Sequence, residues 1–361
     1  DLRADLGAYL SQYGPYIPFL GGTMTTGLYD IPAAHFRVRG IYTHTVPVDA
    51  YRGAGRPEAA YLIERLVDRI ALETGRSPDK VRAANFIRPD QLPYRTQVGR
   101  TYDSGEFEGH MRRAMAAADW AGFGARARTA RKRGLARGIG MASYVEACAF
   151  GAPEPAYVAL GQDGTVTIKI GTQSTGQGHE TAYAQLASEY LDIPLTQIRV
   201  LQGDTNYTPT GGGTGGSRSI PVGGAAVDIA ARKLADNIKA IAADELEASA
   251  ADLEIGGGRV KVAGTDRSLS LAEVARSKKA TAELLNTTGS FTQPEATYPN
   301  GTHVCEVEID TETGIPRIVN YVIVDDFGVT LNPILLAGQV HGGDAQGIGQ
   351  ALIERTVFAE D

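Results

Sequence analysis

The stretch that decides the fold is "GTQSTGQGHETAYAQLASEYLDI", Gly171 to Ile193. A glycine-rich turn with few charges runs directly into a segment with Ala182, Leu186 and Leu191 at helical spacing. This pattern predicts an amphipathic helix that begins after a tight loop. The N-terminus of a helix offers unpaired backbone N–H groups and a partial positive charge, and glycine lets a ligand approach the backbone closely. The stretch therefore predicts a ligand-binding loop at the start of a helix.

The same plan of strand, glycine-rich loop and helix occurs four times, in residues 36–75, 137–193, 207–246 and 302–354. Two of these segments also predict a hairpin, because alternating apolar residues flank the turn sequences "QDG" and "DTETG". We interpret the repetition as a loose internal duplication of α+β units, whose loops usually meet at one edge. In a single loop, glycine often serves only to permit a turn with positive φ. Four loops of the same kind favour the interpretation that they share one ligand site.

Helix positions follow from the apolar spacing and the punctuating residues. The segment 36–75 predicts a strand and then a helix with Pro57 at its first position and Gly75 at its end. The buried stripe of this helix is predicted to be Leu62, Ile63, Leu66, Val67 and Ile70. The segment 207–246 predicts a longer helix with a buried face of Val227, Leu234, Ile238, Ile241 and Leu246.

The predicted fold class is α+β, with two lobes of repeated β-β-α type units. We place the boundary near the basic run "RARTARKRG", Arg126–Gly134, which divides the chain into residues 1–135 and 136–361. The basic run itself is interpreted as a solvated linker. Each lobe is expected to contribute glycine-rich loops to the binding of one large ligand.

Composition excludes several classes of protein. The chain has 361 residues, of which 35 are basic and 42 acidic, and its net charge is -7. This charge argues against a nucleic-acid-binding protein, because phosphate contacts need clustered Lys and Arg. No apolar run is long enough to span a membrane. Two cysteines, Cys148 and Cys305, exclude a disulfide scaffold, a cysteine-ligated zinc site and an iron–sulfur cluster within this chain, and predict a cytoplasmic protein. Both ends look cut, so we expect a fragment of a longer polypeptide.

Competing motifs fail on spacing. No glycine is followed by lysine, so a Walker A loop is absent, and "GQGHET" and "GAGRPE" lack the third glycine of a dinucleotide fingerprint. No histidine pair has metal-binding spacing, so no metal site built from protein side chains is predicted. The loops instead carry neutral hydrogen-bonding groups, which suit a pterin or a nucleotide: Ser174, Thr175, Gln177, Ser217, Ser219, Gln339 and Gln346.

At this point the sequence resembles a known family. The segments "VDAYRGAGRPEAAYLIERLV", "GTQSTGQGHETAYAQLASEYLDIP", "VLQGDTNYTPTGGGTGGSRS" and "GQVHGGDAQGIGQAL" together resemble the molybdenum-cofactor-binding large subunit of the xanthine dehydrogenase family. The branch they resemble contains the carbon monoxide dehydrogenase-like and aldehyde oxidase-like chains. The resemblance covers nearly the whole chain, with the four motifs in the family's order, and implies the molybdenum-cofactor-binding domain fold.

The resemblance also implies roles for individual residues. The cofactor would be molybdopterin cytosine dinucleotide. The resemblance places these residues near the molybdenum end of the cofactor: Gln339 and the "GQGHE" residues Gln177, Gly178, His179 and Glu180. Along its dinucleotide it implies Gly215, Gly216, Ser217, Arg218 and Ser219. In the active-site loop it implies a substrate-orienting Arg52 followed by the cofactor-binding residues Gly53, Ala54, Gly55 and Arg56.

The chemistry implied by the resemblance is hydroxylation of an aldehyde or N-heterocycle with water-derived oxygen. The implied partners are an iron–sulfur small subunit and an FAD-binding medium subunit, in a dimer of heterotrimers. The chain would be a fragment of the large subunit that is inactive alone, because the family's general-base glutamate is expected beyond its C-terminus.

Three alternatives stay open at this point. One is a non-catalytic cofactor-binding or assembly module. Another is an unrelated nucleotide-binding enzyme. The third is carbon monoxide dehydrogenase-like activity without the copper cysteine, since Gly53 stands where those enzymes carry that cysteine.

Overall fold

The computed structural model of the protein describes residues 1–149 and 151–359. The strands are β1 (Leu2–Gly7), β2 (Val38–Tyr42), β3 (Tyr94–Arg95), β4 (Thr101–Tyr102), β5 (Leu135–Val145), β6 (Glu154–Leu160), β7 (Val166–Ile170), β8 (Ile198–Gln202), β9 (Leu253–Gly256), β10 (Arg259–Val262), β11 (Ser268–Ser270), β12 (Asn286–Phe291), β13 (Asn300–Asp310) and β14 (Pro316–Asp326). The helices are α1 (Tyr16–Gly22), α2 (Arg56–Thr74), α3 (Pro78–Asn85), α4 (Phe107–Ala117), α5 (Phe123–Lys132), α6 (His179–Leu191), α7 (Ala225–Leu246), α8 (Leu271–Arg276), α9 (Ala282–Leu285) and α10 (Pro333–Leu352). This mixture of helices and sheets agrees with the predicted α+β class.

The chain forms two compact units. Of the described residues, the N-terminal unit contains 1–147, 297–329 and 357–359, and the central unit contains 148–149, 151–296 and 330–356. Residues 297–329 join the N-terminal unit because β13 pairs with β5 along its whole length, from Asn300 opposite Val145 to Asp310 opposite Leu135. The compact units therefore differ from the linear division into 1–135 and 136–361. Cofactor binding by each lobe stays a prediction.

In the N-terminal unit, a three-stranded antiparallel sheet has the order β14-β13-β5. Helix α4 packs on β13 and β14, and α5 packs on β5. The turn "DTETG" joins β13 to β14, as the sequence predicts. Strands β1 and β2 form a separate parallel pair, and β3 and β4 an antiparallel one.

The basic run is a helix, so its interpretation as a solvated linker was wrong. Most of it lies in α5, and Arg126 donates from Nε to Glu306 Oε1 over 3.0 Å. Arg137 Nε donates to the same oxygen over 2.7 Å, and Glu306 is buried in the sheet. Two arginines of the run form ion pairs with glutamates on β13, Arg126 with Glu306 and Arg133 with Glu308. These charge-assisted contacts hold the run against the sheet.

Helix α2 has the predicted ends but a different buried face. Pro57 lies in its first turn, and Gly75 ends it in the left-handed conformation with φ 64°. Besides Arg56 at its start, the buried residues of the helix are Ala59, Ile63, Glu64, Val67 and Ala71. Three members of the predicted stripe are exposed, namely Leu62, Leu66 and Ile70. The buried residues recur at i, i+4 spacing and so lie on one face of the helix. This face packs against α3 and β5, which supply a charged and a polar partner for Glu64.

In the central unit, a mixed four-stranded sheet has the order β12-β6-β7-β8. The predicted hairpin around "QDG" is confirmed by the antiparallel pairing of β6 with β7. Strand β8 is parallel to β7, with α6 as the crossover between them. Helix α7 packs on β12 and β6, and its predicted buried face is confirmed at all five positions.

Helix α10 begins after Asn332, whose Oδ1 accepts from the backbone N–H of Leu335 over 3.0 Å. This N-cap satisfies one of the donors at the start of the helix. In the described part of the chain no residue of α10 is buried. Among the helices of residues 1–149 and 151–359, none, α10 included, has the length and apolar character needed to cross a membrane.

Candidate cofactor site

The first glycine-rich loop, residues 171–178, connects β7 to α6. Gly176 and Gly178 have φ of 114° and 76°, conformations that residues with a Cβ rarely adopt. The side chain of Gln177 folds back on the loop, where its Oε1 accepts from the backbone N–H of Thr175 over 2.5 Å. Because a backbone N–H can only donate, this contact fixes the amide orientation and makes Nε2 of Gln177 a donor for other groups.

The two residues after this loop have structural partners. His179 is buried, with Nδ1 3.3 Å from the carbonyl oxygen of Thr172 and its ring against Tyr183. Because a carbonyl only accepts, Nδ1 carries the proton in this contact. Glu180 is exposed and accepts from Nε2 of Gln202 over 2.6 Å. The contact of both residues with a cofactor stays a prediction.

Gln202 is a candidate that the sequence analysis missed. Its Nε2 donates to the carboxylate of Glu180, which fixes Oε1 as the other end of the amide. That Oε1 is buried and has no hydrogen-bond donor among the described residues. The signal available in the sequence was a polar residue at the end of the predicted strand "IRVLQGDT", immediately before a loop.

The second glycine-rich loop, residues 211–219, lies against the first. Thr214 Oγ1 donates to the carbonyl oxygen of Gln173 over 2.6 Å, which ties the two loops together. Gly216 and Ser217 both have positive φ, 63° and 55°. Within the described residues, the backbone N–H groups of Gly215, Gly216 and Ser217 make no hydrogen bond. The loop therefore presents three consecutive backbone donors.

The last two residues of this loop face the protein. Ser219 is buried, and its carbonyl oxygen accepts from the hydroxyl of Tyr183 over 3.0 Å. Arg218 is also buried, and its Nη1 donates to Glu154 over 2.6 Å and to the carbonyl oxygen of Gly213 over 3.0 Å. The guanidinium of Arg218 is thus bonded to the protein itself. Glu154 is a second residue that the sequence analysis missed, because nothing in its local sequence marks it.

Helix α10 approaches the first loop. A Cβ built on Gly178 would lie 2.5 Å from Cδ2 of Leu335, so the absence of a side chain at Gly178 permits this approach. Asn332 donates from Nδ2 to Oε1 of Gln185 on α6 over 2.9 Å. Gln339 follows Leu335 by four residues and shares its face of the helix. The central unit therefore brings together the two loops and the helix that carries Gln339.

The residues present fit a pterin or nucleotide ligand. A Cβ built on Gly176 or Gly215 would have no neighbour within 4 Å, so both loops border open space. Three backbone N–H groups and Gln177 Nε2 supply donors, and Gln202 Oε1 supplies an acceptor. Consecutive N–H groups of this kind suit a phosphate. Among the described residues no cluster of three His, Cys, Asp or Glu could hold a metal ion.

The remaining predicted residues belong to the N-terminal unit. Gly53, Ala54 and Gly55 have consecutive positive φ values of 92°, 45° and 94°. A Cβ on Gly55 would lie 1.8 Å from the carbonyl oxygen of Ile17, so the chain itself fills that space. Arg52 is exposed in this unit.

Arg56 is buried and forms an ion pair with Glu146 on the N-terminal unit. Burial raises the pKa of Glu146 to about 7, and the charge of Arg56 opposes that rise. Both residues belong to the unit that holds the Arg52 loop, so this pair fixes the first residue of α2 directly after the loop.

Comparison with known proteins decides the family. A family model described as a molybdopterin cofactor-binding domain matches residues 113–361, and a second one matches residues 1–86. The chain belongs to the molybdopterin cofactor-binding family. This result confirms the resemblance to xanthine dehydrogenase family large subunits that four sequence motifs predicted.

Relatives of this molybdopterin-binding chain include oxidoreductases with several named substrates. It is 36% identical to the carbon monoxide dehydrogenase large chain of Hydrogenophaga pseudoflava, over 99% of this chain and 47% of the relative. It is 34% identical to the nicotine 6-hydroxylase large subunit of Paenarthrobacter nicotinovorans, over 92% of this chain and 43% of the relative. The structure of quinoline 2-oxidoreductase from Pseudomonas putida 86 superposes with a TM-score of 0.90 at 29% identity, over 99% of this chain and 48% of that one. The chain spans about half the length of these relatives.

Proposed function

We propose that the chain is the cofactor-binding part of a molybdenum hydroxylase large subunit that acts on an aldehyde or N-heterocycle. The observation that carries the proposal is the convergence, in the central unit, of the loops 171–178 and 211–219 with the helix of Gln339. The second loop presents unpaired backbone donors beside open space, in a chain that matches molybdopterin-binding domains over most of its length. We propose Gln177, Gly215, Gly216, Ser217 and Gln339 as cofactor contacts.

The overall reaction replaces a C–H bond of the substrate by C–OH, with oxygen from water and release of two electrons and two protons. The bound molybdenum cofactor would supply the oxygen transfer and accept the electrons. The chain's own contribution is to bind and orient. The N–H groups of residues 215–217 would hold phosphate, and the Nε2 of Gln177 would donate to the cofactor near its metal. Arg52 would orient the substrate and stabilise negative charge that develops on it.

We take the cytosine dinucleotide form of the cofactor from the sequence resemblance, and the row of backbone donors in the second loop supports a phosphate-bearing form. An iron–sulfur subunit and an FAD subunit would carry the electrons away, in a dimer of heterotrimers. Relatives named as a large chain, a large subunit or a complex subunit support partners of this general kind. A cytoplasmic location stays a prediction from the sequence.

The structure favours an organic substrate over the copper-dependent oxidation of carbon monoxide. Gly53, which stands where the resemblance places the copper-holding cysteine, has φ 92°. A Cβ at this position would lie 2.2 Å from Cγ of Pro57. Both the backbone conformation and the packing disfavour a cysteine here. We therefore propose a copper-independent hydroxylation for this chain.

The test is the molybdenum and nucleotide content of the protein, purified with the subunits it assembles with from a host that matures the cofactor. We expect stoichiometric molybdenum together with CMP after acid release. A screen of aldehydes and N-heterocycles with an artificial electron acceptor would then identify the substrate. A protein that carries neither molybdenum nor nucleotide, from a host that loads a known hydroxylase in parallel, would refute the proposal.

A further inference from the structure

One buried carboxylate contacts both glycine-rich loops of the central unit. Glu154, the first residue of β6, is 0% exposed. Its Oε1 accepts from the backbone N–H of Gly171 over 3.1 Å, and its Oε2 accepts from the backbone N–H of Gly212 over 2.8 Å. The same Oε2 accepts from Nη1 of Arg218 over 2.6 Å. A single side chain therefore bonds to the start of the first loop and to two positions of the second.

The backbones of the two loops are in direct contact at this carboxylate. A Cβ on Gly171 would lie 2.8 Å from Cα of Gly211 and 2.7 Å from Oε1 of Glu154. A Cβ on Gly211 would lie 2.8 Å from Cα of Gly171. These glycines are needed for the close approach of one chain segment to the other, in contrast to Gly176 and Gly215, which border open space. Packing glycines and ligand-facing glycines thus occur on the same loops.

Arg218 completes the arrangement from the other side. Besides Glu154, its guanidinium donates to the carbonyl oxygens of Gly213 and Ala152. Arg218 immediately follows the three residues whose N–H groups are unpaired in the described chain, so its position fixes the end of that row of donors. A buried ion pair is weak evidence for stability alone, because its desolvation cost offsets much of its attraction. The contacts of the Glu154–Arg218 pair point to a different role, because they are made with the loops of the proposed cofactor site.

We propose that Glu154 and Arg218 are positioning residues that hold the loops 171–178 and 211–219 in the arrangement the cofactor requires. The proposal rests on the function proposed above and assigns Arg218 to the support of the site, acting through the loop backbone. A glutamine at position 154 could not replace the carboxylate. Three N–H donors converge on Glu154, and an amide nitrogen would oppose one of them.

The experiment compares Glu154→Gln, Arg218→Met and the double variant with the wild-type protein, in the assembly purified from a cofactor-maturing host. Glu189→Gln is the matched control, since it makes the same charge change at an exposed position on α6. The readouts are molybdenum and CMP per polypeptide, and amide hydrogen exchange of peptides from 171–178, 211–219 and α7. We expect Glu154→Gln to lower the molybdenum and CMP content per polypeptide severalfold, because loss of a supporting residue typically weakens metal binding by about 10-fold or more. Exchange in the two loops should rise by about 10-fold, for loss of a charge-assisted hydrogen bond.

The double variant separates positioning from general stability. It removes both charges and leaves no unpaired buried ion, so we expect α7 to keep its wild-type protection while the two loops stay exchange-labile and poorly loaded. Wild-type loading and loop protection in Glu154→Gln would overturn the proposal, as would an equal loss of protection in α7 and the loops in the double variant. If the wild type itself carries no cofactor, the proposed function fails. Loop-specific exchange in Glu154→Gln would still support the positioning role.

Discussion

The two units of the chain each contain a buried glutamate–arginine pair, and the two pairs support different things. In the N-terminal unit, Glu64 on α2 accepts from Arg82 on α3 over 2.9 Å and from the backbone N–H of Ser143 on β5 over 2.8 Å. In the central unit, Glu154 accepts from Arg218 and from two glycine backbones. The first pair joins regular elements, whereas the second joins loops.

The difference follows from what surrounds each pair. Tyr29 donates its hydroxyl to Glu64, and Asp68 is 3.0 Å from Arg82, so the first pair is the centre of a buried network between two helices and a strand. Burial raises the pKa of Glu64 despite the charge of Arg82. The second pair bonds to the loops of the proposed cofactor site and to the carbonyl oxygen of Ala152, just before its own strand. The same pair of residue types thus joins helices and a strand in one unit, and in our proposal it positions the cofactor loops in the other.

The largest expected effect comes from breaking the first pair. Arg82→Met leaves the buried carboxylate of Glu64 without its cation, which typically destabilises a protein by about 3–5 kcal/mol. The free energy of unfolding in denaturant, followed by fluorescence of the single tryptophan Trp120 in the same unit, measures this loss. Arg65→Met is the control. Arg65 lies on α2 but is exposed and 3.7 Å from Asp68, so we expect a change below about 0.5 kcal/mol. Equal effects of the two substitutions would contradict the assignment of Arg82 to fold stability.

A third pair, Arg56–Glu146, makes a prediction about pH. Burial raises the pKa of Glu146 from 4.5 to about 7, so the folded state holds this proton more tightly than the unfolded chain does. The contribution of Glu146 to stability is therefore fully present below about pH 4.5 and is lost as the pH rises toward about 7. We expect a fall of roughly 2–3 kcal/mol over this interval in the wild type. In Glu146→Gln this part of the fall should be absent. Parallel curves of unfolding free energy against pH for the two proteins would disprove the prediction.

The fold could be predicted from the sequence where period and punctuation agree. The β6–β7 hairpin, α6 and the buried face of α7 follow from alternation, from glycine and from 3.6-residue spacing. The buried face of α2 and the helical state of the basic run could not be predicted. Both depend on charged partners outside the local segment: Arg82 is 18 residues from Glu64, and Glu306 is 180 residues from Arg126. Local patterns carry no information about such partners.

The candidate site divides in the same way. The two loops of the central unit and the helix of Gln339 were predicted from glycine content and motif order, and the structure brings them together. Glu154 and Gln202 were missed because their importance lies in contacts across the fold rather than in a motif. For Gly53 and Gly55, glycine content could not distinguish a position that the protein backbone requires from one that faces a ligand.

Gly55→Ala tests the packing type of glycine. The new Cβ would lie 1.8 Å from the carbonyl oxygen of Ile17, at a residue with φ 94°. We expect a loss of roughly 2 kcal/mol from backbone strain and displacement of α1. The measurement is again denaturant unfolding followed by Trp120. A loss below about 0.5 kcal/mol would show that α1 moves aside without cost and that Gly55 is not held by packing.

Gly215→Ala tests the ligand-facing type, and its expected effect on stability is the smallest. The new Cβ would meet no atom within 4 Å, and Gly215 lies outside the left-handed region. The free energy of unfolding of the central unit, measured by amide exchange of α7 without cofactor, should be unchanged or higher by up to about 1 kcal/mol, because alanine restricts the unfolded chain. The molybdenum content of the assembled protein should nevertheless fall, since the methyl group would occupy space beside the row of N–H donors. Full loading of Gly215→Ala would show that this loop does not contact the cofactor. The two glutamate–arginine pairs would then differ only in the elements that they pack together.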